Sequence, residues 1–308
     1  MLLSAGDFAV YRAESHVFNL LSPRFGGMRS ESDRRQLLDV WLKSRVFRET
    51  NLDAATISAK ILSECHSAGD FLRITMESVA RQQGVARWAD CTPDHLLYMR
   101  AIKREIPNAL FIHIIRDGRD VALSYVQQNW SHPLPWDRSE KLGVAGLYWE
   151  WVVRKGRQQG AFLGTDYREI RFEDLIANPA ETLQGLGAFI CHDLDYERIQ
   201  RAGIGSVSNP NSSFSKEGEG SFNPVDRWKT KMSPAEIAAF EELVGDFLSQ
   251  LGYRVASKPQ KFSLRAERLR KTYLAEFALK HWLKATPLGR RVSLKNLGLS
   301  AEDRPAQK

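Results

Sequence analysis

The sequence predicts an α/β protein in which a parallel sheet is flanked by helices, and three observations carry that reading. The run Ala109 to Ile115 is short and mostly apolar, the pattern of a strand whose two faces are both covered. It ends in Arg-Asp-Gly-Arg-Asp, a turn signal that opens a helix, where Asp117 or Asp120 can accept the free N–H groups of the first turn. Tyr167 to Phe172 reads as the next strand, and the segments around both runs show helical spacing.

Ser30 to Glu49 has Leu37, Leu38, Trp41, Leu42 and Val46 at three- and four-residue steps, an amphipathic helix. Asp53 caps a second helix, and Asp70 to Gln83 forms a third that Gly84 stops. Glu140 to Gln159 carries Leu147, Tyr148, Trp149, Trp151 and Val152, apolar on much of its surface and suited to packing on the sheet. After the second strand comes a helix from Ala180 to Ile190. Gly203 to Val225 is rich in Gly, Ser and Asn and reads as a long loop of the kind that covers or binds ligands. Pro234 to Leu251 is then a helix, with Ser233 as N-cap and Gly252 as its stop.

The junction between the first strand and its helix is where open α/β sheets bind ligands. A helix N-terminus with an Arg beside it favours an anion, through unpaired N–H donors and the positive end of the helix dipole. Arg116 can grip a phosphate through two parallel bonds, and Ser124 can add a hydroxyl further along the helix. The same charges also fit a plain strand-to-helix corner in which Arg116 and Arg119 pair with Asp117 and Asp120. The spacing accommodates both readings.

Arg116, Asp117, Gly118, Arg119, Asp120 and Ser124 resemble the 3'-phosphate-binding signature of sulfotransferases that use 3'-phosphoadenosine 5'-phosphosulfate (PAPS). The resemblance runs in the family's order from AESHVF through DCTPDH, RDGRD and RFEDLIANP to RWKTKMSP, and is to bacterial-type members similar to tyrosylprotein sulfotransferases. It implies a P-loop-like α/β fold and in-line sulfuryl transfer from PAPS to a hydroxyl or amine acceptor, without a metal. It implies that Arg116 and Ser124 hold the 3'-phosphate, and that Glu14 takes the acceptor's proton, with His16 as the alternative base. In an extended stretch residues 14 and 16 share a face. It also implies a loop that folds over the nucleotide, in which Lys216 is the nearest basic residue.

The sequence departs from the family at three places. MLLSAGDFAVYRAESHVF resembles a segment that the family places after a PRSGT-like turn holding the 5'-phosphosulfate. The expectation is a sulfotransferase domain over residues 1–257 that is N-terminally incomplete, either because the true start lies upstream or because catalysis has been lost. Cys91 stands where the family has Lys, which leaves Arg87 as a substitute cation, and Phe172 stands where the family often has Tyr. The competing reading is a non-catalytic nucleotide- or membrane-binding protein on the same fold. A nucleoside-phosphate kinase is disfavoured because no GxxxxGK[ST] is present.

With 308 residues, 43% hydrophobic and 26% charged, the composition is that of a soluble globular protein. The first residues lack a basic n-region and no uncharged run reaches the roughly 18 residues of a membrane span, so a cytoplasmic location is expected. Cys65, Cys91 and Cys191 are widely spaced, which argues against a disulfide framework or a zinc site. Of the formal charge of +7, residues 258–291 hold a net +8, with ten Lys or Arg against Glu267 and Glu276, so the rest of the chain is near −1. That distribution excludes a general nucleic-acid surface and marks residues 258–308 as a basic, helical C-terminal extension. Within it Phe262 to Trp282 places Leu269, Tyr273, Phe277 and His281 at four-residue steps. Such a helix either docks on the domain or makes a peripheral contact with an anionic membrane. The partners expected are a small-molecule, carbohydrate or protein acceptor, and no nucleic acid.

Overall fold

The structure, a computed structural model, describes residues 1–202, 224–256 and 263–291 of the chain. Local capping sets the starts of the first helices. The Ser30 hydroxyl accepts the Asp33 N–H and opens α1 (Glu31–Trp41), Asp53 accepts the Thr56 N–H and opens α2 (Ala54–Glu64), and Ser67 accepts the Asp70 N–H and opens α3 (Ala68–Gln82). Two boundaries differ from the sequence pattern. The helix expected over Ser30 to Glu49 breaks after Trp41, because the Ser44 hydroxyl donates to the Trp41 carbonyl at 2.5 Å and accepts the Phe47 N–H, starting a separate turn. The third helix, expected from Asp70, begins at Ala68 because Ser67 is its cap. Trp41, Ile61, Phe71, Ile74 and Met76, each 2% exposed or less, join the apolar faces into one core.

After α4 (Met99–Glu105) the chain enters β1 (Phe111–Ile115), crosses over through α5 (Gly118–Gln127) and α6 (Lys141–Gly160), and returns as β2 (Tyr167–Arg171). The strands pair in parallel, with Phe111 opposite Tyr167 and Ile115 opposite Arg171. A single parallel bridge joins Phe8 to Arg87. The expectation that both faces of the first strand are covered is only half met. His113 and Ile115 are 5% exposed, whereas Ile114 is 50% exposed. Ile112 on that second face packs on a cluster containing Phe8, Leu175 and Leu183, and no described element covers Ile114 to the same extent.

His113 is held by a polar chain. The Tyr167 hydroxyl accepts from His113 Nδ1 at 2.6 Å and donates to Glu169 at 2.7 Å, while Arg157 donates to the same carboxylate at 3.0 Å. Gly160 is required here, because an added Cβ would lie 2.5 Å from the Tyr167 ring. Burial lowers the His113 pKa to about 4, partly offset by Glu169.

Beyond β2 follow α7 (Phe172–Ala177), α8 (Pro179–Ile190), α9 (Tyr196–Ala202), α10 (Pro234–Gln250) and α11 (Leu264–Lys284). Ser233 and Glu236 form a reciprocal capping box at the start of α10, as the Ser233 cap predicts. The basic tail contributes α11, which joins the core of α6 and α10 through Ala266, Leu269 and Tyr273. Glu150 of α6, 1% exposed, receives both Arg270 Nη atoms at 2.8 and 2.9 Å. Tyr273 donates to Asp137 at 3.2 Å and accepts the Leu134 N–H at 2.8 Å. Phe277 sits edge-on to Tyr148 at 5.2 Å. The stripe Leu269, Tyr273 and Phe277 therefore packs on the domain and does not face outward. Among the described residues no helix is long and apolar enough to cross a membrane.

His113 generates a pH dependence. Its folded pKa of about 4 lies below the unfolded value near 6.5, so the unfolded chain binds more protons between these values and stability rises with pH across that window. The contribution is fully present above pH ~6.5 and about 2 kcal/mol of it is lost by pH ~5. Denaturant midpoints measured at both pH values check this: His113→Phe should flatten the difference, and an unchanged slope counts against the assignment.

Candidate functional site

At the carboxyl end of β1 the turn Arg116-Asp117 delivers the chain into α5. Gly118 is obligatory at this corner, because a Cβ there would lie 2.5 Å from the Trp149 ring, whose Nε1 donates to the Arg116 carbonyl at 3.1 Å. The charges of the motif divide. Arg119, 1% exposed, donates to Asp117 at 3.0 and 2.7 Å and to Glu241 of α10 at 2.8 Å, with its guanidinium carbon 3.6 Å from the Trp228 ring centre. Asp120, fully buried, accepts the Asp226 and Trp228 N–H groups at 3.0 Å each. The Arg119–Asp117 pair and the 3.9 Å approach of Arg116 to Asp120 follow the plain-corner reading, while Asp120 is held chiefly by backbone N–H groups.

Arg116 is placed differently. Its guanidinium lies 5.0 Å from the Phe172 ring centre and 3.9 Å from Asp120, and one Nη donates to the Pro224 carbonyl. Its Nε is buried and has no hydrogen-bond partner among the described residues. Burial pulls its pKa below the usual value, with Asp120 opposing. Phe172, which stands where the family often has Tyr, supplies a cation–π face. The Ser124 hydroxyl donates to the Asp120 carbonyl one turn earlier at 3.1 Å, a bond that rotation of the hydroxyl can exchange for another. An orphaned donor on Arg116 and a rotatable hydroxyl on Ser124 fit a phosphate oxygen.

A second polar cluster forms where the chain first turns. Glu14 and His16 meet with 3.3 Å between Oε2 and Nε2. The stretch is not extended at this point, since His16 has φ 52 and leads into a π-helical turn, Val17–Leu21. Asn19 Nδ2 donates to Asp94 at 2.8 Å and lies 3.2 Å from His16 Nδ1. With that amide donating, Nδ1 is an acceptor and the imidazole proton sits on Nε2, facing Glu14. Burial, followed by the charges of Asp94 and Asp90, raises the Glu14 pKa, and burial lowers that of His16. Behind them His95 donates from Nδ1 to Asp90 at 2.7 Å and accepts the Phe18 N–H on Nε2 at 3.1 Å. Burial would raise Asp90, but His95, Ser15 and Thr92 hold it below its ordinary value. Burial and then the Asp94 charge push up the phenols of Tyr98, Tyr125 and Tyr148, and Glu14 adds to the effect on Tyr125. Tyr125 follows Ser124, so α5 runs from the Arg116 turn toward the acidic cluster.

Other expectations fare differently. Lys216 lies outside the described residues. Arg87 does not serve as a substitute for the missing Lys, because it donates to the Ile190 and Cys191 carbonyls at 3.0 Å each and terminates α8. Cys91 is exposed. A cavity of about 860 Å³ runs along the outer edge of β2, lined by Ile170, Arg171, Glu181 and Tyr253 among others, but by none of Glu14, Arg116 or Ser124.

A family model described as "Sulfotransferase family" matches residues 6–198. The chain belongs to the sulfotransferase family. Among solved structures it is similar to the sulfotransferase domain from the curacin biosynthetic pathway, at 17% identity over 80% of this chain and 96% of that one, with a TM-score of 0.45. It is also similar to the sulfotransferase domain from the Synechococcus PCC 7002 olefin synthase, at 16% identity over 86% and 92% of the two chains, with a TM-score of 0.39. No curated protein matches.

Within this sulfotransferase the residues that sequence reasoning passed over are Asn19 and Asp94. The i, i+3 spacing of His16 and Asn19 is the only local signal, and Asp94 lies some 75 residues further along the chain. The division of the RDGRD motif gives a test by paired variants. Arg119→Ala removes the guanidinium that faces the buried Asp117 and Glu241 carboxylates and should cost about 3–5 kcal/mol of stability. Arg116→Ala should keep the unfolding transition within about 1 kcal/mol of the parent. Denaturant melts compare the two directly, and equal losses would contradict the division.

Proposed function

We propose that this sulfotransferase moves a sulfuryl group from PAPS to a hydroxyl or amine acceptor, with Arg116 and Ser124 clamping the 3'-phosphate and Glu14 as general base. The observation that carries the reading is the state of Arg116: among the motif's charges it alone has a buried donor without a partner among the described residues, and it heads the helix that leads to Ser124 and the acidic cluster. When bound, the nucleotide supplies an activated sulfuryl group. Glu14 takes the proton of the attacking hydroxyl or amine, and its raised pKa moves it toward the range in which a carboxylate removes a proton efficiently. His16, with its proton on Nε2, donates to Glu14 and orients it. Asn19 fixes that tautomer, which makes His16 a positioning residue and not the base. The acceptor is a small molecule, carbohydrate or protein, and the protein acts in the cytoplasm.

A second reading, nucleotide binding without transfer, is favoured by one observation: Cys91 takes the family's Lys position and Arg87 is tied to the end of α8. Incubation with labelled PAPS and a panel of phenols, alcohols, amines and sugars separates the readings, since the first requires a labelled product and the second gives none while binding persists.

Calorimetry tests the clamp. Arg116→Ala should weaken adenosine 3',5'-bisphosphate at least about tenfold and leave adenosine 5'-phosphate nearly unchanged, and equal losses would remove Arg116 from the role. For the base, Glu14→Gln should lower transfer by about 10²-fold or more with bisphosphate affinity retained. The acid limb of the rate profile should lie above the usual carboxylate range and disappear in that variant. Full activity of Glu14→Gln would sink the assignment.

A further inference from the structure

We propose that the outer face of α11 is a docking surface for anionic phospholipid, with Leu279, Trp282 and Leu288 entering the lipid interface and nearby cations meeting the headgroups. The helix has two faces. Ala266, Leu269 and Tyr273 pack inward. On the opposite side Leu264, Arg268, Lys271, Ala275, Leu279 and Trp282 follow one another at steps of three and four residues, a single stripe along a 3.6-residue helix. Leu279 is 55% and Trp282 61% exposed.

The turn Pro287–Arg291 folds back on the end of this helix. Gly289 lies so close to the Lys284 carbonyl that no Cβ fits, and its N–H donates to the Thr286 carbonyl at 2.8 Å. Leu288, 51% exposed, is thereby brought to the same end as Trp282. The turn is tied to the body of the protein through the Arg290–Asp33 pair at 3.4 Å and a bond from Arg24 to the Arg290 carbonyl.

Charge is distributed unevenly along the outer face. Near its start Arg265 and Arg268 pair with Glu140 and Asp137 of the domain, while Lys271 and Lys280 pair with Glu267 and Glu276 of the helix itself. The cations without such a partner among the described residues, Lys155, Lys284 and Arg291, lie toward the other end. Lys284 and Lys155 both act on the His281 imidazole, which places their field beside Trp282. Exposed Trp and Leu side chains set among Lys and Arg have the composition of an interfacial helix. The charge also selects the occupant: a second copy of this chain would set cation against cation, whereas an anionic leaflet complements the patch.

Flotation of the full chain with phosphatidylcholine vesicles, and with vesicles containing about one-third phosphatidylserine, tests the surface. The expected result is binding to the anionic vesicles alone, weakened by salt. Leu279→Ala with Trp282→Ala should reduce it at least about tenfold, and Lys284→Glu should reduce it where the matched charge reversal Lys43→Glu, on another surface, does not. All these positions are surface-exposed or at the rim of the helix, so circular dichroism should show each variant folded. No binding to anionic vesicles at low salt, equal binding to neutral ones, or binding that survives the double variant would overturn the proposal.

Discussion

Arg119 sits 1% exposed with Asp117 from its own turn on one side and Glu241 from α10 on the other, while its ring-facing side lies on Trp228 and one Nη donates to the Arg254 carbonyl at 3.0 Å. A guanidinium cannot shed its charge, so its burial is tolerable only while every partner is in place. Those partners come from the β1–α5 turn, from α10 and from the chain on either side of it. One side chain therefore fixes the distance between the end of the strand and the helices that close over it. Asp120 repeats the device with opposite sign by accepting two backbone N–H groups at 226 and 228.

Because Arg119 satisfies Asp117, and two backbone N–H groups satisfy Asp120, Arg116 is left, among the described residues, with only a 3.9 Å approach to Asp120 and a bond to the Pro224 carbonyl. Its backbone carbonyl is held by Trp149, its guanidinium lies over Phe172, and it keeps a buried donor without a partner among the described residues. A neighbour that bound all its donors would make a good corner and a poor anion site. The Glu173 carboxylate supports the arrangement from outside, accepting the Asp117 N–H at 2.8 Å and the Tyr253 hydroxyl at 3.0 Å.

The other half of the site depends on a different kind of restraint. His95 joins Asp90 to the Phe18 N–H, and so fastens the segment around Cys91 to the π-helical turn that presents Glu14 and His16. Asn19 then relays the position of Asp94 to the His16 ring. The catalytic candidate Glu14 is thereby oriented through three side chains drawn from two distant stretches of sequence, and α5 and α6 bring Tyr125 and Tyr148 to the same acidic ground.

Local chemistry was enough to read much of this protein from its sequence. Short apolar runs and period-3.6 apolar patterns depend only on neighbours in the chain, so β1, β2 and most of the long helices stood out, as did caps such as Asp53 and Ser233. The RDGRD turn and Ser124 were legible for the same reason, since strand, turn and helix start are contiguous. What tertiary structure alone decided were the pairings across long separations. Whether Arg119 or Arg116 would be consumed by the fold turned on Glu241 and Trp228, more than a hundred residues away, and Arg87 was lost as a substitute cation to carbonyls of α8. Charge counts in the tail could not show that Glu140, Asp137 and Glu150 would take up Arg265, Arg268 and Arg270. The apolar stripe that the sequence offered to a membrane packs inward because α6 and α10 present a matching surface, and the face that remains outside is defined only by that docking.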